Sequence, residues 1–303
     1  MTREESIALT AYLAGRIARE SPYLDYTPEE VLRDRETFSE EKIARLKEAG
    51  FLPQDHETFY VLRRFCDGMG LWSRADREYL SRLFSEGRRL DRAAFYADPY
   101  LAAVKAPEAR IGRFLLTQVS YDRGEIFQYD MPDVDREIVV PKLGFFDEKV
   151  LFPAVYEGEV PWVSVCPSEI RSMGRDLAGA RGRCLVLGLG LGYYPFRAAE
   201  KDEVRSVTVV ERSGEIIDLF EAHILPAFPR REKIRVVQAN AFDFLAKTKA
   251  GEYDFCYADI WEGAEDGAAC YKRIKPEEKR LSGTLFSYWI EKEIRWFLEK
   301  GGK

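Results

Sequence analysis

The alternation of apolar and polar positions gives the chain three textures. Up to about residue 108 the apolar residues recur at mixed three- and four-residue spacing, the period of amphipathic helices. Residues 4–19 place Ile7, Leu9, Tyr12, Leu13 and Ile17 in this way. Thr27-Pro28-Glu29-Glu30 starts another helix, with a capping hydroxyl, a first-turn proline and an acid in the capping-box position. Further helices are expected over 39–49, 56–66 and 73–84, the last opened by Ser73-x-x-Asp76. From about 109 to 165 the runs become short, β-branched and aromatic: 114–121, 125–129, 137–140, 150–152 and 160–165. Asp-Arg-Gly, Met-Pro-Asp and Glu-Gly turns separate them, which predicts a small antiparallel sheet or a set of hairpins.

Beyond 165 strands and helices alternate strictly. A helix opens at Pro167 and ends near Gly179, and the apolar run 184–187 then meets glycines at 188, 190 and 192. Four apolar residues running into a glycine-rich turn read as a buried parallel strand. Pro195 suits the first turn of the helix that follows, where its missing N–H is not needed. Strands are expected over 206–211, 234–240 and 253–259, with helices over 214–225 and 242–249 between them. Each strand ends in glycine or a polar side chain: Gly188, Glu211, Asn240 and Asp259. In a parallel sheet the carboxyl edge is where ligands sit, and a strand–glycine turn–helix is a place for a nucleotide-like one. Glu211 at the second strand tip can accept bonds from both hydroxyls of a ribose. A dinucleotide fingerprint would need glycine at 193 or 195, where Tyr193 and Pro195 stand, so the pyrophosphate turn is not matched.

Composition narrows the partners. The 303 residues suffice for one large or two modest domains, and 46% hydrophobic with 32% charged residues is ordinary for a globular protein. A net charge of −6 argues against nucleic acid as a partner, and the arginines between 82 and 92 (with Arg88 and Arg89) read as a solvated helix face. No apolar run approaches a membrane span, and the opening Met-Thr-Arg-Glu-Glu-Ser lacks a signal peptide's apolar core. Cysteines 66, 166, 184, 256 and 270 form no C-x-x-C pair, which suits a reducing cytoplasm. With only His56 and His223, a histidine-rich metal site is excluded, and no metal is expected.

The glycine pattern at 188, 190 and 192, with the acid after the second strand, the polar residue after the third and the acid after the fourth, resembles class I S-adenosylmethionine-dependent methyltransferases. Leu185-Val-Leu-Gly-Leu-Gly-Leu-Gly192 is similar to that family's first motif and Val210-Glu211 to its second. Ala239-Asn-Ala-Phe-Asp-Phe-Leu245 and Tyr253-Asp-Phe-Cys-Tyr-Ala-Asp259 look like the third and fourth, in wording close to the polyamine aminopropyltransferases of the spermidine synthase-like branch. The likeness covers roughly residues 166 to 263. It implies S-adenosylmethionine as cofactor, with Gly188, Gly190 and Gly192 at its amino-acid part and Glu211 at its ribose. Asn240 and Ala241 would lie at the adenine, and Asp259 near the sulfonium and the acceptor as the catalytic residue. Asp259 is followed by Ile-Trp-Glu-Gly and not by the further acids of the aminopropyltransferases, so their polyamine-binding acids are not matched. Nor does an Asn-Pro-Pro-Tyr sequence follow, which disfavours nucleobase amino-methylation.

The expected fold is therefore α/β: a Rossmann-like methyltransferase core over 166–303, a β-rich connecting segment over 109–165 and a helical domain over 1–108. A full class I core carries three more strands after the fourth, and the chain beyond Asp259 is short for them: a polar stretch to Arg280, then residues 284–298, which read as one aromatic-rich helix or as a short strand plus helix. The core is thus expected either to be truncated after its fourth strand or to take replacements from the upstream β segment. The helical third reads as a substrate cover, a surface for homo-oligomers or a structural cap. Tyr193, Tyr194 and Trp261 fit an acceptor pocket and core packing equally. The leading function is methyl transfer to a small molecule or protein, with Asp259 as proton acceptor. Aminopropyl transfer, or a non-catalytic binding protein built on a degenerate methyltransferase fold, are the alternatives.

Overall fold

A computed structural model of the chain describes residues 77–132 and 140–300, together with Thr58 and Leu62, both helical. The helices expected over 4–19, from Pro28 and over 39–49 lie outside the described residues, as do the rest of 56–66 and positions 137–139 of one expected strand. In chain order the described elements are α1 (Arg77–Glu86), β1 (Arg88–Arg89), α2 (Arg92–Tyr96), α3 (Pro99–Ala103), β2 (Ala109–Ile111) and β3 (Phe114–Tyr121). Then come β4 (Phe127–Asp130), β5 (Lys142–Phe145), β6 (Val150–Glu157), β7 (Val160–Ser164), α4 (Pro167–Gly179) and β8 (Gly182–Leu187). The remainder is α5 (Tyr193–Glu200), β9 (Val204–Glu211), α6 (Gly214–His223), β10 (Ile234–Gln238), α7 (Ala241–Lys247) and β11 (Phe255–Ala258). Helices α8 (Ala264–Ile274) and α9 (Glu277–Arg280), strand β12 (Leu285–Tyr288) and helix α10 (Glu291–Lys300) complete it.

The chain divides into two compact units, one from residues 1–95 and 120–151, the other from 96–119 and 152–303. The β-rich segment expected over 109–165 is therefore shared between them, because its two eight-residue strands, β3 and β6, each contain a unit boundary. In the first unit a small sheet runs β1-β5-β4, with β1 parallel and β4 antiparallel to β5. Leu83, Phe84, Phe127, Phe145 and Phe146 form its core, and Tyr121 stacks on Phe127 at 4.0 Å. Arg88 and Arg89, expected on a helix face, instead make β1: α1 stops at Glu86, and the Arg88 guanidinium donates to the carbonyls of Ser85 and Gly87.

In the second unit the hairpins β2–β3 and β6–β7 join as a four-stranded sheet, β2-β3-β6-β7. Beside α6, Arg113 reaches Glu215 at 3.5 Å. The core of the unit is a separate five-stranded sheet, order β10-β9-β8-β11-β12, parallel throughout. Numbered from β8 this is 3-2-1-4-5, the doubly wound order. The sheet does not stop at its fourth strand: β12 pairs with β11 from Phe255↔Leu285 to Ala258↔Tyr288. Nor do upstream strands stand in for later ones, since they hydrogen-bond in sheets of their own. The central strands are covered on both faces, and every residue of β11 and Cys184 through Leu187 of β8 is buried.

The order reverses between β8 and β11, and there the strand ends converge. Asp259 N–H donates to the Leu187 carbonyl, and Gly188 N–H to that of Val210, both at 2.9 Å. Gly188 has φ +99°, and a Cβ on it would collide with the Asp259 carbonyl oxygen. Gly188→Ala should accordingly lower the unfolding free energy by about 1–3 kcal/mol or more, read from urea denaturation. Gly174→Ala on the exposed side of α4, where a Cβ meets nothing within 4 Å, should instead stabilise by about 0.5–1 kcal/mol. Equal effects would mean that the strand ends yield to the added methyl.

Candidate functional site

Three glycines with positive φ, Gly188 (+99°), Gly190 (+53°) and Gly192 (+76°), carry the chain from β8 into α5. The intervening Leu189 and Leu191 are buried, which turns their side chains into the core and leaves backbone toward the strand ends. A Cβ on Gly190 would meet only a Val163 methyl at 3.5 Å, so this glycine borders open space. That space is a cavity of about 910 Å³, lined by the strand ends, the glycine turn, α4 and the β6–β7 hairpin. All the sequence-predicted site residues, Gly188, Gly190, Glu211, Asn240, Ala241 and Asp259, line it except Gly192. Gly192 caps α5 instead, its Cα facing the rings of Phe220 and Phe228.

Glu211 is buried, with 7% exposure, at the tip of β9. Its Oε2 accepts the Leu189 N–H at 3.3 Å and its Oε1 the Ser213 N–H at 2.8 Å. The carboxylate thus ties the glycine turn to the start of α6. Each oxygen has room for a second bond, so two acceptor positions remain. Asn240 Oδ1 caps α7 by accepting the N–H groups of Phe242 at 2.9 Å and Asp243 at 3.4 Å. Its Nδ2 keeps two donors. Arg273 stacks on the Phe242 ring, 3.7 Å from its centroid, which stiffens this wall of the cavity.

Six carboxylates line the cavity, Glu157, Glu169, Glu211, Asp259, Glu262 and Asp266, and Arg212 is the one cation among the described lining residues. Several have structural partners: Glu157 pairs with Arg113 at 3.1 Å, and Asp266 accepts the Glu262 and Gly263 N–H groups at the start of α8. Glu169 and Asp259 differ. Burial pushes Glu169 up to about 7. Burial first, and then the charge of Glu169, hold Asp259 well above the usual carboxylate range, against a weak O–H bond from Tyr257 at 3.4 Å. Asp176, deeper in α4, is raised to about 6 by burial even though the Ser287 hydroxyl donates to it. The arrangement can hold a proton near neutral pH at the end of β11.

Tyr194 stacks flat on Tyr257 at 3.7 Å and donates to the Asp176 carbonyl, so it is a core side chain that also forms cavity wall. Tyr193 and Trp261 combine the two roles as well, being 5% and 7% exposed. Sequence reasoning missed Glu169, Trp289 and the β6–β7 hairpin. Glu169 had a readable signal, an acid in the first turn of the helix that precedes the glycine strand. Among the described residues no group of three or more His, Cys, Asp or Glu side chains could hold a metal ion. Among them, too, no helix is long and apolar enough to cross a membrane.

No family model and no curated protein matches the chain. Among solved structures, precorrin 8W decarboxylase of Methanobacterium thermoautotrophicum aligns with 44% of this chain and 71% of its own, at 18% identity and a TM-score of 0.31. Precorrin-6y C5,15-methyltransferase of Geobacter metallireducens aligns with 41% of this chain and 68% of its own, at 13% identity and a TM-score of 0.31. Similarity at that level defines no relationship; the class of this fold rests on its own strand order.

The raised carboxyls make stability depend on pH in a definite direction. Between its ordinary value of 4.5 and about 7, Glu169 stays protonated in the folded chain and ionises in the unfolded one. The folded state then binds more protons, so the contribution is complete below 4.5 and is lost as pH rises toward 7. Thermal melts across that range should show the wild-type midpoint falling relative to Glu169→Gln. Parallel profiles would show that Glu169 ionises freely in the cavity.

Proposed function

We propose that the chain is an S-adenosylmethionine-dependent methyltransferase whose acceptor presents an amine or hydroxyl. The observation that carries this reading is the Glu211 carboxylate, buried beside the glycine turn at the switch point, with two acceptor positions left for the paired hydroxyls of a ribose. Each such charge-assisted bond contributes about 1.5–3 kcal/mol. Gly190, with open space in place of a side chain, would cradle the amino-acid part, and Asn240 and Ala241 would border the adenine. Because the Asn240 carbonyl oxygen caps α7, its part toward an adenine would be to donate from Nδ2. A dinucleotide fits less well, because Tyr193 and Pro195, both buried at the start of α5, stand where its fingerprint needs glycine.

The cofactor would supply an electrophilic methyl carbon, and the protein's task is alignment, water exclusion and removal of the acceptor's proton. Alignment alone accounts for about 7–11 kcal/mol of such barriers. Asp259, with Glu169 beside it, takes the proton. The excess of carboxylates along the wall favours a basic nitrogen over an anionic acceptor. Turnover should then rise with pH as Asp259, held well above the usual carboxylate range by burial and by the charge of Glu169, loses its proton. The spermidine synthase-like branch and aminopropyl transfer draw no support from a particular contact.

Calorimetric titration with S-adenosylhomocysteine and NAD tests the cofactor: the first should bind and the second should not. Glu211→Gln should weaken S-adenosylhomocysteine by tenfold or more, about 1.4 kcal/mol. An unchanged affinity in the folded variant removes the ribose assignment. Asp259→Asn should leave that affinity intact while lowering kcat by about tenfold or more. A fully active variant takes Asp259 out of the chemistry.

A further inference from the structure

The second unit begins well before the glycine strand, and its first segment meets the turn. Asp98 caps α3, its Oδ1 accepting the N–H groups of Tyr100 at 2.9 Å and Leu101 at 3.4 Å. Its Oδ2 accepts from the Tyr193 hydroxyl at 2.9 Å and the Arg197 guanidinium at 2.7 Å, both on α5. Arg197 also donates to the Tyr193 hydroxyl at 3.1 Å. One carboxylate, with only 10% of its side chain exposed, therefore joins the start of α3 to the start of α5. Tyr100 is fully buried, and its hydroxyl donates to the Leu191 carbonyl at 2.6 Å. Burial pushes the hydroxyls of Tyr100 and Tyr193 far above their ordinary value, so both remain donors. The Tyr100 ring packs on Tyr193, Phe196 and Phe228 with centroids 5.4–6.0 Å apart.

The Leu191–Gly192 peptide is held at both ends. Its carbonyl accepts from Tyr100, and its N–H donates to the Leu189 carbonyl at 2.8 Å. It lies between Gly190 and Gly192, residues with more backbone freedom than any other type. A turn of this kind loses binding energy to the ordering of its own backbone unless something orders it beforehand. Glu211 orders its first half through Leu189, and among the described residues the sheet itself offers the second half no hydrogen bond. We infer that Tyr100 and Asp98, some ninety residues ahead of the glycine turn in sequence, are positioning residues that preorganise it for its ligand. This rests on the methyltransferase reading for the identity of the ligand but not for the coupling of α3 to the turn. By reciprocity, a ligand that orders the turn tightens α3 in return.

Tyr100→Phe removes the hydroxyl and keeps the ring. Thr284→Val is the comparison, because it removes another hydroxyl-to-carbonyl bond (Thr284 Oγ1 to Tyr253 O, 2.7 Å) at the opposite edge of the sheet. Tyr100→Phe should weaken S-adenosylhomocysteine by about fivefold to tenfold, while Thr284→Val lowers the melting temperature at least as much and leaves the affinity unchanged. Hydrogen exchange should show S-adenosylhomocysteine slowing the Ala102 and Val104 amides in the wild type and not in Tyr100→Phe. Asp98→Asn, which retains an oxygen for the α3 cap, serves the same purpose if Tyr100→Phe does not fold. Equal affinities for Tyr100→Phe and wild type, or an equal loss in Thr284→Val, overturn the inference. If the wild type binds no S-adenosylhomocysteine, the cofactor reading fails alone. Exchange at the Leu191 and Gly192 amides of the ligand-free proteins then decides: faster in Tyr100→Phe supports the coupling, and unchanged rates overturn it.

Discussion

The carbonyl oxygen of Asp259 occupies the space that a side chain on Gly188 would need, and much of the site follows from that contact. Strands β8 and β11 pair in parallel up to Leu187↔Ala258, so their next residues leave the sheet side by side. One chain must turn away toward β9's side and the other toward β12's, which opens a crevice between them. The first chain can pass so near the second only without a Cβ and with a positive φ. The same closeness brings the Asp259 carboxyl to the cavity beside the glycine turn. A methyl group at 188 would disturb the fold and the site together.

The charges around the crevice sort by whether they are already engaged. Glu211, Asp266 and Asn240 hold loop or helix-start N–H groups, and Glu157 holds an arginine. These side chains define walls. Glu169 and Asp259 face the cavity with little to compensate their charge, and their raised proton affinity is the electrostatic result. A pair of that kind stays near neutrality without a ligand and gains most from a neighbour able to give up a proton or carry positive charge. Burial that costs stability as pH rises is the same property that keeps a proton on Glu169 up to about pH 7 and raises the proton affinity of Asp259.

The core of the second unit also depends on residues outside its own alternating pattern. Asp98 and Tyr100 complete the hydrogen bonding of α5 and the glycine turn, and the compact unit accordingly starts at Tyr96. A boundary drawn at the beginning of the α/β alternation would cut these bonds. The β6–β7 hairpin, read in sequence as part of a connecting segment, likewise supplies a wall of the cavity through Trp162 and Val163.

Local pattern was enough for the parallel strands and their ends. The apolar run 184–187, the glycines after it and the polar residues closing the next three strands follow from steric and solvation rules that act within a few positions, and the sheet places Glu211, Asn240 and Asp259 on one edge as those rules require. Residues 284–298 read equally as one aromatic-rich helix or as a short strand plus helix, and only the pairing with β11 decides for strand β12, because Leu285-Phe-Ser-Tyr288 is too short and too mixed to be told from a helix start alone. Glu169 escaped because an acid in the first turn of a helix is common. What distinguishes it is the lack of solvent and the neighbouring Asp259, 90 positions away in the chain. Asp98 and Tyr100 carry only the local signal of an N-cap acid before a proline and an aromatic on a five-residue helix, which says nothing of the glycine turn. The sequence by itself determined which residues would sit at the strand ends. Only the tertiary structure decided which of them face the cavity uncompensated and what holds the turn still, because desolvation and long-range hydrogen bonds depend on neighbours that chain order does not specify.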